Sequence, residues 1–218
     1  MLKEDEKKKL LWLSDGCAIT TGYSTISRKL CNYLTEYGWE VHYLCHSANQ
    51  QTFKPGTEME DGEKFNFWVH GAGMQAYCRD IIMPKIRELK PHVFGVLLDS
   101  FMLKQADYLN VDFAPAKSLF YFPSDGGGSL KDGKLIKGIG CRLPHTCEQI
   151  IKKFDVSVAM ARFAQVQTKE IHGLDVPYIP HAVEPEVYKP LNEQEKIILR
   201  KKWGLEGKFV IGCVARNQ

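Results

Sequence analysis

The chain has 218 residues, 44% hydrophobic and 25% charged, with a net charge of +3. That balance suits a folded protein with a sizeable core and is too weakly basic to argue for nucleic acid. The longest apolar runs, such as residues 93–98, fall far short of the ~18 residues of a membrane span.

The opening MLKEDEKKK mixes acidic with basic residues before only a short apolar run, so it does not read as a signal peptide. Seven cysteines (17, 31, 45, 78, 141, 147 and 213) are scattered and odd in number, which favours reduced thiols and a cytoplasmic protein. Residues 9–13 (KLLWL) read as a buried strand. Residues 24–37 read as a helix with Ile26, Leu30 and Leu34 on one face, stopped by Gly38. EVHYLCH (40–46) alternates Val41, Tyr43 and Cys45 as a second strand. Residues 47–64 are polar and turn-rich, and a short strand is expected over 65–69.

Residues 76–89 carry Ile82, Ile86 and Leu89 at core spacing, which predicts a helix with an irregularity at Pro84. HVFGVLL (92–98) reads as a fully buried strand ending at Asp99. AKSLFYF (116–122) reads as another, running into Pro123, Ser124, Asp125 and three glycines. Ile150 and Ile151 belong to a helix, VSVAM (156–160) to a strand, residues 162–171 to a helix, and VPYIP (176–180) to a last short strand. A charged helix over 192–203 leads through Gly204 to KFVIGCVAR (208–216), which reads as one more buried strand, to be packed or left loose.

Strands separated by helices imply an α/β fold, a Rossmann-like parallel sheet of five to seven strands with helices on both faces. The expected layout is one such domain over 1–190, a connector helix over 191–207, and the first strand of a second domain over 208–218. Ligands of such sheets bind beyond the carboxyl ends of the strands. The suggestive residues fall there: Gly16, Thr21, Gly22, Tyr23 and Ser24 in the first turn, then Asp99, then Asp125. Each has a plainer explanation, since the glycines serve tight turns, Asp99 can cap a helix and Asp125 can make a turn. The first loop is neither G-x-x-x-x-G-K-[ST] nor G-x-G-x-x-G, and no Asp-x-Asp pair closes a strand. A helix N-terminus among small residues still favours an anionic or hydroxylated ligand. CRLPHTC (141–147) holds two thiols and His145 but lacks paired C-x-x-C spacing and a fourth ligand, so no metal is expected.

Taken in order, SDGCAITTGYST, KPHVFGVLLDSFML, FYFPSDGG, VAMARFAQ, YIPHAVEPEVYKP and VIGCVARNQ resemble the N-terminal half of a GT-B glycosyltransferase of the retaining glycosyltransferase family 4. YIPHAVEPEVYKP is the most specific piece, with Ala182 and Glu184 where the family carries glycine and aspartate. The resemblance implies a hexosyltransferase-like enzyme moving a sugar from a nucleotide-sugar donor, with no cofactor and no obligatory metal. The acceptor would be a carbohydrate, a lipid or a small alcohol, with peripheral membrane contact left open. It implies Asp125 as the catalytic residue, where relatives place a histidine, and Asp99, more weakly Tyr23, at the acceptor. The loop from Gly16 to Ser24 would approach donor or acceptor through backbone N–H groups, and Arg216 would meet the donor diphosphate. The family's glutamate pair, eight positions apart, is not found in these residues, so they are expected to be inactive alone. The alternatives are a non-catalytic glycan- or partner-binding module on the same fold, and a nucleotide-sugar epimerase or dehydrogenase, which lacks its glycine fingerprint here.

Overall fold

The computed structural model describes residues 7–19, 21–46, 52–58, 62, 64–124, 129–131, 134–136 and 144–212, without side chains over 129–131, 134–136 and 144–146. Strand β1 (Lys9–Ser14) is buried from Leu10 through Ser14 because it lies between two parallel neighbours. Helix α1 (Gly22–Glu36) begins where the Thr21 hydroxyl accepts the Ser24 N–H at 3.0 Å. It ends at Gly38, whose φ of +87° lets its own N–H and that of Trp39 bond back to the Thr35 and Leu34 carbonyls. The deeply buried line of α1 is Ser24, Ser27 and Cys31, whereas Ile26, Leu30 and Leu34 are only partly buried. Small side chains let this helix lie close on the sheet, so the larger apolar residues fall to the flanks.

Strand β2 (Glu40–Cys45) pairs with β1, setting Leu10 against Val41 and Leu13 against Leu44. The single strand expected over 65–69 is divided. Strands β3 (Thr57–Glu58) and β4 (Lys64–Phe65) form a small antiparallel hairpin, and β5 (Trp68–His70) joins β2 in parallel. The helix expected over 76–89 also divides, because Tyr77 and Cys78 take φ of 54° and 60° within a 3-10 turn. Helix α2 is Ile82–Leu89, so Pro84 falls in its first turn, where a missing N–H costs no helical bond and no kink is needed.

Strand β6 (Val93–Val96) pairs with the free side of β1 and leads into α3 (Ser100–Gln105). Strand β7 (Lys117–Phe122) follows, then a hairpin of β8 (Ser129–Lys131) and β9 (Lys134–Ile136), helix α4 (Pro144–Lys153), strand β10 (Val156–Ala159) and helix α5 (Arg162–His172). The strand expected over 176–180 shrinks to a single parallel bridge, Ala159 to Tyr178. Pro177 has no N–H to extend the ladder backward. Forward, the Ile179 carbonyl accepts the Tyr121 hydroxyl at 2.7 Å and Ala161 already caps α5.

The main sheet runs β10-β7-β6-β1-β2-β5, all parallel. In order of appearance its strands are sixth, fifth, fourth, first, second and third, a doubly wound Rossmann-like sheet. Alternation along β1 sends Leu11 and Leu13 to a core shared with Ile82, Ile86, Leu103 and Ile150, and Leu10 and Trp12 to one shared with Cys31, Tyr43 and Phe67.

The chain divides into two compact units, Met1–His181 and Ala182–Gln218. In the second, α6 (Glu193–Lys202) opens on a capping box in which Asn192 and Glu195 exchange bonds of 2.8 and 2.9 Å. The buried strand expected from Lys208 does not form over 208–212: Phe209 is 92% and Ile211 86% exposed. A strand needs a neighbour to take its backbone groups, and none of the described strands pairs there.

Candidate functional site

In a doubly wound sheet the ligand crevice opens where the chain order reverses, here past the carboxyl ends of β1 and β6. The two ends are tied by the buried Ser14 hydroxyl, which donates to the Leu97 carbonyl at 2.9 Å. Beyond that tie come Asp15 on one side and Asp99 on the other.

Asp15 organises the first loop. Its Oδ2 accepts the Thr21 hydroxyl at 2.6 Å, its Oδ1 meets His46 Nε2 at 2.7 Å, and its carbonyl accepts the Tyr43 hydroxyl at 2.6 Å. Burial pushes the Asp15 carboxyl up, but the bonds from His46 and Thr21 outweigh it and hold it below the ordinary value. An ionised Asp15 only accepts, so His46 carries its proton on Nε2. The His46 ring lies 5.1 Å from that of Tyr77. Neither Asp15 nor His46 stood out in the sequence, although each is the first charged or titratable residue past a parallel strand's carboxyl end.

Tyr23 and Asp99, separated by 76 residues, are brought together: the Tyr23 hydroxyl donates to Asp99 Oδ1 at 3.0 Å. Asp99 occupies the N-cap position of α3, yet its side chain makes no capping bond; only its carbonyl serves that turn. The carboxylate therefore faces α1 and not its own helix. Gly22 has open space where a Cβ would stand, so close packing does not require glycine there. Ser24 is buried, its N–H is taken by Thr21, and its hydroxyl has no partner among the described residues.

Three of the loop amides are turned inward. The Ile19 N–H bonds Gly16, the Thr21 N–H bonds Ile19, and the Cys17 N–H reaches Cys45 Sγ at 3.4 Å. Two carboxylates at the mouth would repel a polyanion and suit hydroxyl donors. Cys45 Sγ lies 3.6 Å from Cys17 Sγ, and its hydrogen bond, with Arg28 nearby, holds the Cys17 thiol below the usual thiol value. The Arg28 guanidinium donates to the Cys17 carbonyl at 3.3 Å.

No family model matches the chain, and no curated protein matches it. Asp125 and Arg216 lie outside the described residues, as does Cys141, and the side chain of His145 is not described. Cys147 is buried, and burial pushes its thiol up to about 11. Among the described residues no three His, Cys, Asp or Glu side chains gather as a metal group, and no helix is long and apolar enough to cross a membrane.

Proposed function

We propose that this chain is the acceptor-side domain of a retaining glycosyltransferase, which moves a sugar from a nucleotide-sugar donor to a hydroxylated acceptor. The observation that carries this is the Tyr23–Asp99 contact across the switch crevice, flanked by Asp15 and Thr21. A phenol and carboxylates at one mouth offer the donors and acceptors that sugar or alcohol hydroxyls require. It joins the resemblance of YIPHAVEPEVYKP and its companions to the GT-B N-terminal half. In such an enzyme the domain contributes by holding the acceptor hydroxyl against the anomeric carbon, and the leaving diphosphate is stabilised from the other side. Arg216 is proposed for that diphosphate, and Asp125 for the reacting sugar.

The test has two arms on the 218-residue chain. Calorimetric titration with UDP-, GDP- and ADP-hexoses should give no measurable binding, because the donor site is assigned to residues after 208. Micromolar affinity with a nucleobase preference would invert that assignment, and tight NAD binding would replace transfer by dinucleotide chemistry. In the second arm, simple sugars and polyols should shift the backbone amide resonances of Tyr23 and Asp99. Absence of those shifts at high ligand concentration would remove the crevice as an acceptor site.

A further inference from the structure

A second concavity opens on the same edge of the sheet, past β7 and β10. It has a volume of about 480 Å³ and is lined by Ser124, Met160, Arg162, Tyr178, Pro180 and His181 among others. Its origin lies in the backbone. Because the 176–181 segment meets β10 at one bridge only, it leaves the sheet instead of extending it. The Tyr121 hydroxyl then pins Ile179, and His181 stands edge-on to the Tyr121 ring at 5.5 Å.

The charge of this lining is one-sided. Among the described residues that line it, Arg162 is the charged member and none is a carboxylate, and no described residue pairs with the guanidinium. Burial keeps the His181 imidazole below its ordinary value, so near neutrality it offers one donor and one acceptor. Ser124 adds a hydroxyl, while Met160, Tyr178 and the prolines supply an apolar wall. A planar fork of N–H donors beside neutral hydrogen-bonding groups matches an oxyanion attached to a polar small molecule. The volume falls within the range of small-ligand pockets.

We infer that this cavity binds the phosphate or carboxylate group of a small hydroxylated ligand, with Arg162 holding the oxyanion and Ser124, Tyr178 and His181 contacting the rest. The proposal depends on the glycosyltransferase function only in making that ligand an acceptor, or part of one. The cavity itself requires no transfer chemistry.

The experiment compares glucose 6-phosphate, glucuronate and glucose as ligands of the whole chain, by calorimetry and by amide shifts. Both anionic sugars, or one of them, should bind at least ~10-fold more tightly than glucose, the scale of a hydrogen bond to a charged group. The stronger of the two identifies the oxyanion. Shifts should centre on Ser124, Met160, Tyr178 and His181, and affinity should fall between 50 and 200 mM salt. Arg162→Gln should abolish the preference for anions while leaving the melting temperature unchanged, because Arg162 is exposed. Arg162→Lys should retain part of it as a point charge. Equal binding of glucose and the anionic sugars, an unchanged affinity in Arg162→Gln, or shifts confined elsewhere would overturn the proposal. Anion binding here together with silence at Tyr23 and Asp99 would count against the acceptor crevice and leave the cavity standing. The reverse pattern would remove the cavity alone.

Discussion

Acidification should weaken this fold well before its carboxylates titrate, through two buried imidazoles on neighbouring strands. His42 Nδ1 lies 3.0 Å from His70 Nε2, and His42 Nε2 lies 2.8 Å from Glu40 Oε1. With Glu40 accepting, His42 holds its proton on Nε2 and accepts at Nδ1 from a neutral His70. Burial is the main cause that lowers both rings, and Lys85 and His42 add to it at His70, which falls to about 4 from an ordinary 6.5. Protons therefore prefer the unfolded chain. The stability these rings contribute is present above pH 6.5 and is lost as pH falls toward 4. For His70 alone, linkage gives a loss of about 2 kcal/mol between pH 7 and pH 5, a sizeable fraction of a typical domain's stability. The assay is urea unfolding at both pH values for the native chain and for His70→Gln, whose amide can still donate to His42 but cannot titrate in this range. The native midpoint should drop on acidification, and the variant should lose much less. Equal losses in the two proteins, or a native chain that gains stability at pH 5, would refute the reasoning.

Two further outcomes follow from packing and from the crevice. A methyl group at Gly95 would collide with the Trp12 ring, its Cζ3 2.6 Å from the added atom. Trp12 is buried inside the sheet, so Gly95→Ala should cost roughly 1–3 kcal/mol, read as a lower melting temperature. Tyr23→Phe removes the hydroxyl that Asp99 accepts. It should change stability by about 1 kcal/mol or less while weakening sugar-induced shifts at Asp99, and full retention of those shifts would take Tyr23 out of the acceptor site.

The sheet was legible in the sequence for a simple reason. Interior parallel strands are buried on both faces, so β1 and β6 stand out as short apolar runs, β2 by its alternation and β7 by its apolar end, and the helices between them show their period. What escaped is governed by backbone geometry more than by pattern. Nothing in the apolar spacing of residues 76–89 announces the left-handed Tyr77 and Cys78, and six residues of α3 are too few for a periodic signal. The missing ladder bonds at 176–180 could have been read from Pro177. In the crevice, Tyr23 and Asp99 were each visible at a strand end, but their hydrogen bond joins residues 76 apart and follows only from the strand order. Asp15 and His46 were passed over because single polar residues after strands are common, and only the folded geometry joins them at 2.7 Å.

The chemistry of the crevice depends on how its first loop is closed. In many doubly wound sheets the turn after β1 leaves backbone N–H groups pointing outward, and a pyrophosphate sits on them. Here Thr21 caps α1 while donating to Asp15, and Asp15 in turn is held by His46 and Tyr43. That network places a half-buried negative charge beside the loop and takes up the Ser24 amide. Asp99 adds a second carboxylate at the opposite lip, while an exposed cation, Arg162, stands at a different mouth, past β10. An anionic group and a hydroxyl group presented to this edge would thus sort to different mouths by electrostatics alone, since near carboxylates a hydroxyl gains a hydrogen bond and a phosphate meets repulsion. In the proposed acceptor role, the residues that close one loop would turn a doubly wound sheet toward hydroxylated ligands, with no change in the order of its strands.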